Sequence, residues 1–97
     1  MSEVAKATRL LFEAANFFIK PVDGKPKNVK IAVQCLCTAL SFVLPPSKEI
    51  HLRLVLGEIY LRHTLDPGLA LEQLQKAQRL LQQVPVDNFM NFRVDSA

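Results

Sequence analysis

Leu56-Gly57-Glu58-Ile59-Tyr60, with Ala70, Leu74 and Ala77 behind it, decides the fold of this chain. Steps of three and four residues bring side chains onto one face of a helix, so Leu56, Gly57 and Tyr60 share a face, and so do Ala70, Leu74 and Ala77. Asp66-Pro67-Gly68 lies between the two sets and reads as the end of one helix and the start of the next. Glycine inside a helix costs about 1 kcal/mol relative to alanine. The use of Gly57 is therefore steric: without a Cβ it lets a partner helix come close, and the alanines leave hollows for Leu56 and Tyr60 to fill. The small-large-small pattern is also present 38 residues earlier, as Ala32, Leu36 and Ala39.

A repeated helical hairpin with this signature resembles the tetratricopeptide (TPR) repeat, whose period is about 34 residues. The expectation is an all-α chain of antiparallel hairpins, degenerate in TPR type, starting a right-handed superhelix. The Tyr60–Ala70 interval is one residue longer than usual, and the first hairpin is weaker in pattern than the second.

The remaining elements follow outward from this stretch. A first helix is expected from about Glu3 to Ile19, with Leu10, Leu11, Ala14, Phe17 and Phe18 as its apolar stripe. It stops before Pro21, because proline disfavours helical geometry in the residue ahead of it. Residues 21–27 read as a loop, basic in balance: Lys20, Lys25, Lys27 and Lys30 stand against Asp23. A second helix runs from an Asn28 cap to Val43, its wide apolar face (Ile31 to Val43) implying more than one neighbour. A third, from Ser47 to Thr64, is capped by Ser47; a fourth is capped by Asp66, with Pro67 at its first position, and ends at Val84-Pro85. Leu71 and Leu81 join Ala70, Leu74 and Ala77 in the stripe of the fourth. The domain organisation is thus one TPR-like domain: a hairpin over 3–43, a second over 47–84, and the start of a third over 86–97, where Phe89, Met90, Phe92 and Val94 are core candidates.

Composition narrows the function. The chain has 97 residues and a net charge of +3, with 49% hydrophobic and 22% charged residues, which is globular and only mildly basic. No apolar run approaches the roughly 20 residues of a membrane span. Cys35 and Cys37, two apart on a helix, point to different faces and do not suit a shared bond or metal. Cys35 reads as a packing residue. His51 and His63 are too far apart on one helix to share a metal ion. Phosphate-binding loops, zinc motifs and nucleophile elbows are all missing, so no cofactor, no small-molecule substrate and no enzymatic activity are expected.

Between the repeats the sequence is more specific. The stretches IAVQCL (31–36), LPPSKEIHLRLVLGEIYLRHT (44–64) and LEQLQKAQRLLQQVP (71–85), followed by Phe92-Arg93-Val94, resemble the TPR subunit of the cohesin loader. His63-Thr64, Gln75-Lys76-Ala77 and Gln82-Gln83-Val84-Pro85 fall in that family's order, while residues 1–27 depart from its pattern. The resemblance implies a scaffold whose superhelix wraps the extended N-terminal segment of the large HEAT-repeat loader subunit, and through it serves cohesin and chromatin in the nucleus. Members of the family are much longer superhelices. The inner face of the third helix would then supply the partner-binding positions: His51, Leu54, Glu58, Leu61 and Arg62.

Two other classes stay open. One is a generic TPR adaptor, cytoplasmic or nuclear, although this inner face is poor in the Lys, Arg and Asn that clamp an acidic C-terminus. The other is a small DNA-binding helical domain using the Lys20–Lys30 cluster, which has no aromatic residues interleaved.

Overall fold

Helices start where the sequence offers a partner to the free N–H groups of the first turn. Ser2 Oγ accepts a hydrogen bond from the Ala5 N–H, Asn28 Oδ1 from Ile31 and Asp66 Oδ1 from Leu69, each at 3.1 Å. They head α1 (Glu3–Ile19), α2 (Val29–Leu40) and α4 (Pro67–Gln83) of a computed structural model that describes residues 2–83. α3 (Pro46–Arg62) is the exception: Pro45 precedes it and no side chain caps it. Ser47, expected as the cap, lies inside its first turn. α1 packs along α2, α2 against α3, and α3 along α4, so the described residues are all-α helical hairpins in succession. The expected segment 86–97, and Val84-Pro85 with it, lie outside the described residues.

The expected loop between α1 and α2 is a miniature antiparallel hairpin of β1 (Pro21–Val22) and β2 (Lys25–Pro26), with Val22 opposite Lys25. Asp23 (φ 54°) and Gly24 (φ 81°) both adopt left-handed backbone, the geometry of the tightest hairpin turns, for which Asp-Gly is a favoured pair. The Asn28 N–H closes the base on the Phe18 carbonyl at 2.9 Å.

α2 ends at Leu40, three residues short of the expected Val43. The Ser41 N–H is shared between the carbonyls of Cys37 and Thr38, and Phe42 bonds back to Ala39, a tightened last turn. Val43 is consequently not on the apolar face but 96% exposed.

The core confirms the small-residue pattern. Ala32, Leu36 and Ala39 are sealed from solvent, as are Leu52, Leu56, Ala70 and Ala77; Gly57, Ile59 and Tyr60 are buried beside them. Burial raises the Tyr60 phenol above its ordinary value and the nearby Cys37 thiol adds to the shift, so Tyr60 is a neutral packing group. Cys35 packs against the same cluster, and both cysteines are free thiols.

Two stripes are rotated from expectation. On α1 the inward side chains are Thr8, Leu11, Phe12, Ala15, Phe18 and Ile19; Leu10 and Phe17 face outward. Thr8 is tolerated inside because its hydroxyl donates to the Val4 carbonyl at 2.7 Å. On α4, Ala70, Gln73 and Ala77 face inward, while Leu71 and Leu81 are exposed and Leu74 is partly so. Gln73 is buried because Arg53 of α3 donates to its Oε1 at 2.8 Å while holding Glu49 at the same distance. Two further ion pairs one helical turn apart, Glu58–Arg62 and Glu72–Lys76, form on the surface.

A Cβ placed on Gly57 would lie 3.4 Å from Leu74 Cδ2 and 3.5 Å from the Ala70 carbonyl oxygen. That is contact without overlap, so the position requires a small residue rather than glycine itself. Gly57→Ala should therefore leave stability unchanged or raise it by up to about 1 kcal/mol, whereas Gly57→Leu should cost about 1–3 kcal/mol by overpacking; urea melts of both variants test this. Leu65 provides a second test, since it is exposed and held at φ 53°, a conformation costly for a residue with a Cβ. Leu65→Gly is expected to raise stability by about 0.5–1 kcal/mol in the same melts, and a loss would show that the Leu65 side chain supports the α3–α4 turn.

Candidate functional site

Three of the four helices have 17 residues and α2 has 12. At about 1.5 Å per residue α2 is therefore some 7 Å shorter than its neighbours. In an antiparallel pair the C-terminal end of α2 lies beside the N-terminal end of α1, so the early stop at Leu40 leaves the first turns of α1 without a helix to lie on. The chain crosses to α3 by way of Val43, Leu44 and Pro45. A groove of about 390 Å³ opens there, between the N-terminal halves of α1 and α3, a size at the lower end of ligand-binding clefts.

Its floor is apolar: Phe12 from α1, Leu44 from the crossover and Leu52 from α3. Val4 and Val43 stand exposed at the rim. Arg9 and Lys48 supply the charge, with the His51 ring tilted at 58° against Phe12, 5.3 Å between ring centroids. This arrangement is built to hold an apolar group with polar neighbours. The two hydroxyls that line it, Ser2 and Thr8, are each engaged with a backbone group of α1.

The sequence-derived partner residues divide on this map. His51 lines the groove. Leu54, Glu58, Leu61 and Arg62 continue along the solvent-exposed side of α3 beyond it, where Glu58 and Arg62 pair at 3.3 Å. Arg9, Phe12, Leu44 and Lys48 were not singled out from sequence. The signal for them is present: Ala5, Thr8 and Phe12 on α1, and Lys48, His51 and Leu52 on α3, recur at three- and four-residue steps. Reading the stripe of α1 through Leu10 and Phe17 hides it.

Elsewhere, Lys27, which follows β2, lies 3.4 Å over the Phe17 ring, so one lysine of the basic cluster is engaged by cation–π attraction. Among the described residues, no three His, Cys, Asp or Glu side chains are placed to hold a metal ion, and no helix is long and apolar enough to cross a membrane.

The model of one family, "Cohesin loading factor", matches residues 27–92. The chain is 32% identical over 74 residues to a "MAU2 chromatid cohesion factor homolog" of Drosophila persimilis, and equally so to that of Aedes aegypti. The match to the Drosophila melanogaster protein of the same name is 31% over 62 residues. In the first and second cases 76% of this chain is covered but only 12% of the relative, so the chain spans about an eighth of the length of the curated relatives it matches. No solved structure matches the chain.

The groove makes different demands on its floor and its rim. Leu52→Ala should cost about 2–5 kcal/mol, since Leu52 is fully buried. Val43→Ser should change stability by less than about 0.5 kcal/mol. Thermal melts that rank the two the other way round would show Val43 to be a folding residue.

Proposed function

The chain belongs to the cohesin loading factor family, and we propose that it is a protein-binding piece of a TPR-type scaffold that supports cohesin loading by holding an extended segment of the large HEAT-repeat loader subunit. On this reading it acts in the nucleus, in contact with cohesin and chromatin only through that partner.

The observation that carries the proposal is the groove between α1 and α3, open to solvent, apolar within and bordered by His51. α1 and α3 open successive hairpins, so the groove lies on the side of the array where TPR scaffolds receive extended peptides. Leu54 and Leu61, both more than two-fifths exposed, extend an apolar path along α3 from its edge. The family match, running across α2, α3 and α4, supports placing that path in a loading factor.

Calorimetry tests it, with this chain titrated by peptides that tile the N-terminal segment of the large loader subunit. One of them is expected to bind, and the pair His51→Ala and Leu54→Ala to weaken it by roughly ten-fold, about 1.4 kcal/mol. A chain that is helical by circular dichroism and takes up none of the peptides overturns the reading.

A further inference from the structure

The charges around the groove are one-sided. Arg9 and Lys48 are exposed on its rim, from α1 and α3 respectively, and no aspartate or glutamate lines it. Neither cation has an ion-pair partner among the described residues, whereas Arg53, Arg62 and Lys76 each have one a helical turn away. Glu49, in the first turn of α3, is committed to Arg53 and through it to Gln73. α1 and α3 both begin at the groove, and α3 does so without a side-chain cap. Each helix start carries one acid in its first turn, Glu3 on α1 and Glu49 on α3, so the positive excess at the groove is that of Arg9 and Lys48.

Apolar surface is exposed at the same place. Val43 is almost wholly exposed and Val4 substantially so, above the floor of Phe12, Leu44 and Leu52. Nothing in the packing of the hairpins requires a valine at position 43. A nucleic acid would match the cations but leave this apolar lining in contact with phosphate and water. An apolar peptide without acids would match the floor but leave Arg9 and Lys48 unpaired.

We propose that the α1–α3 groove selects a peptide segment in which one or two large apolar side chains are flanked by carboxylates, the apolar group seated on Phe12, Leu44 and Leu52 and the carboxylates paired with Arg9 and Lys48. The inference builds on the scaffold reading, since it specifies which chemistry the held segment presents here. Rim charges of this kind act mainly on association rate and on the choice between partners. The apolar contact supplies the rest.

The test uses this chain and three short fluorescent peptides: one of leucine and phenylalanine among glutamates, the same with lysine for glutamate, and the same with alanine for leucine and phenylalanine. Anisotropy is expected to show binding of the first alone, and amide shift mapping to place it on Val4, Arg9, Phe12, Leu44 and Lys48. Charge reversal by Arg9→Glu with Lys48→Glu, both at exposed sites that leave the core intact, should weaken the glutamate peptide about ten-fold or more and bring in the lysine peptide. Equal binding of the glutamate and lysine peptides, shifts that map away from the groove, or retention of duplex DNA by Arg9 and Lys48 in place of the peptide would each overturn the proposal. The two readings fail separately. A loader-subunit segment bound away from the groove removes this inference and leaves the scaffold. A glutamate peptide seated in the groove, with no loader-subunit segment bound, does the reverse.

Discussion

The contact of α3 with α4 at Gly57 is the constraint on which the arrangement depends. With Leu74 and the Ala70 carbonyl only 3.4–3.5 Å from where a Cβ would stand, the two helices are as close as a one-carbon side chain allows. That closeness buries Ala70 and Ala77, residues too small to contribute much apolar area alone. It also brings Arg53 within hydrogen-bond reach of Gln73, at 2.8 Å, and so allows a polar side chain inside the pair. Alanine would fit at the same place, so the packing demands a small side chain there, and the roughly 1 kcal/mol that a helix-interior glycine costs against alanine is not recovered by it. A buried, satisfied polar pair then helps fix the register, since sliding α4 by one residue would leave the buried Gln73 without a partner and Arg53 with Glu49 alone.

The second hairpin is tight along its length; the first is not. α2 stops after 12 residues because Ser41 and Phe42 close its last turn early, and Pro45 bars any return to helix before α3. The resulting length mismatch produces the groove. Had α2 continued to Val43, that valine would stand in helical register rather than exposed on the rim. The candidate site is thus a consequence of one helix ending early, not of a special loop, and its lining residues are held by α1 and α3, both 17-residue helices. Sites positioned by rigid elements keep their shape when empty.

Much of this was legible from the residues alone, and most of the failures share one cause. The Leu56-Gly57-Tyr60 and Ala70–Ala77 pattern located the second hairpin because small residues at helical spacing report backbone approach directly. Asn28 and Asp66 located two helix starts because capping is a local interaction. What was misread depends on the rest of the fold. α1 carries apolar residues on two sides, so Leu10 and Phe17 define a stripe as good as that of Leu11, Phe12 and Phe18. Only contact with the other helices selects between them. Gln73 reads as a surface residue until Arg53 reaches it from another helix. The Asp23-Gly24 turn was a local signal that was present and passed over, because a hairpin with two-residue strands, proline at both ends, has too little alternation to announce itself. The groove was harder still, being assembled from three segments of which only His51 had been marked.

Leu36 and Leu74 show how far a repeat pattern carries. They hold the same place between their flanking alanines, yet Leu36 is wholly buried and Leu74 is 38% exposed. The difference is the neighbourhood: α2 has α1 on one side and α3 on another, while the neighbour that packs extensively on α4 among the described residues is α3. In a helical array the stability of each unit is its own folding term plus the interface it shares with the next. The Ala-Leu-Ala pattern, which belongs to each helix alone, is the same in both copies. The interface term is not, because it belongs to two units at once. The pattern therefore identifies a residue as one that packs against a neighbour, and the degree of burial is set by which neighbours are there.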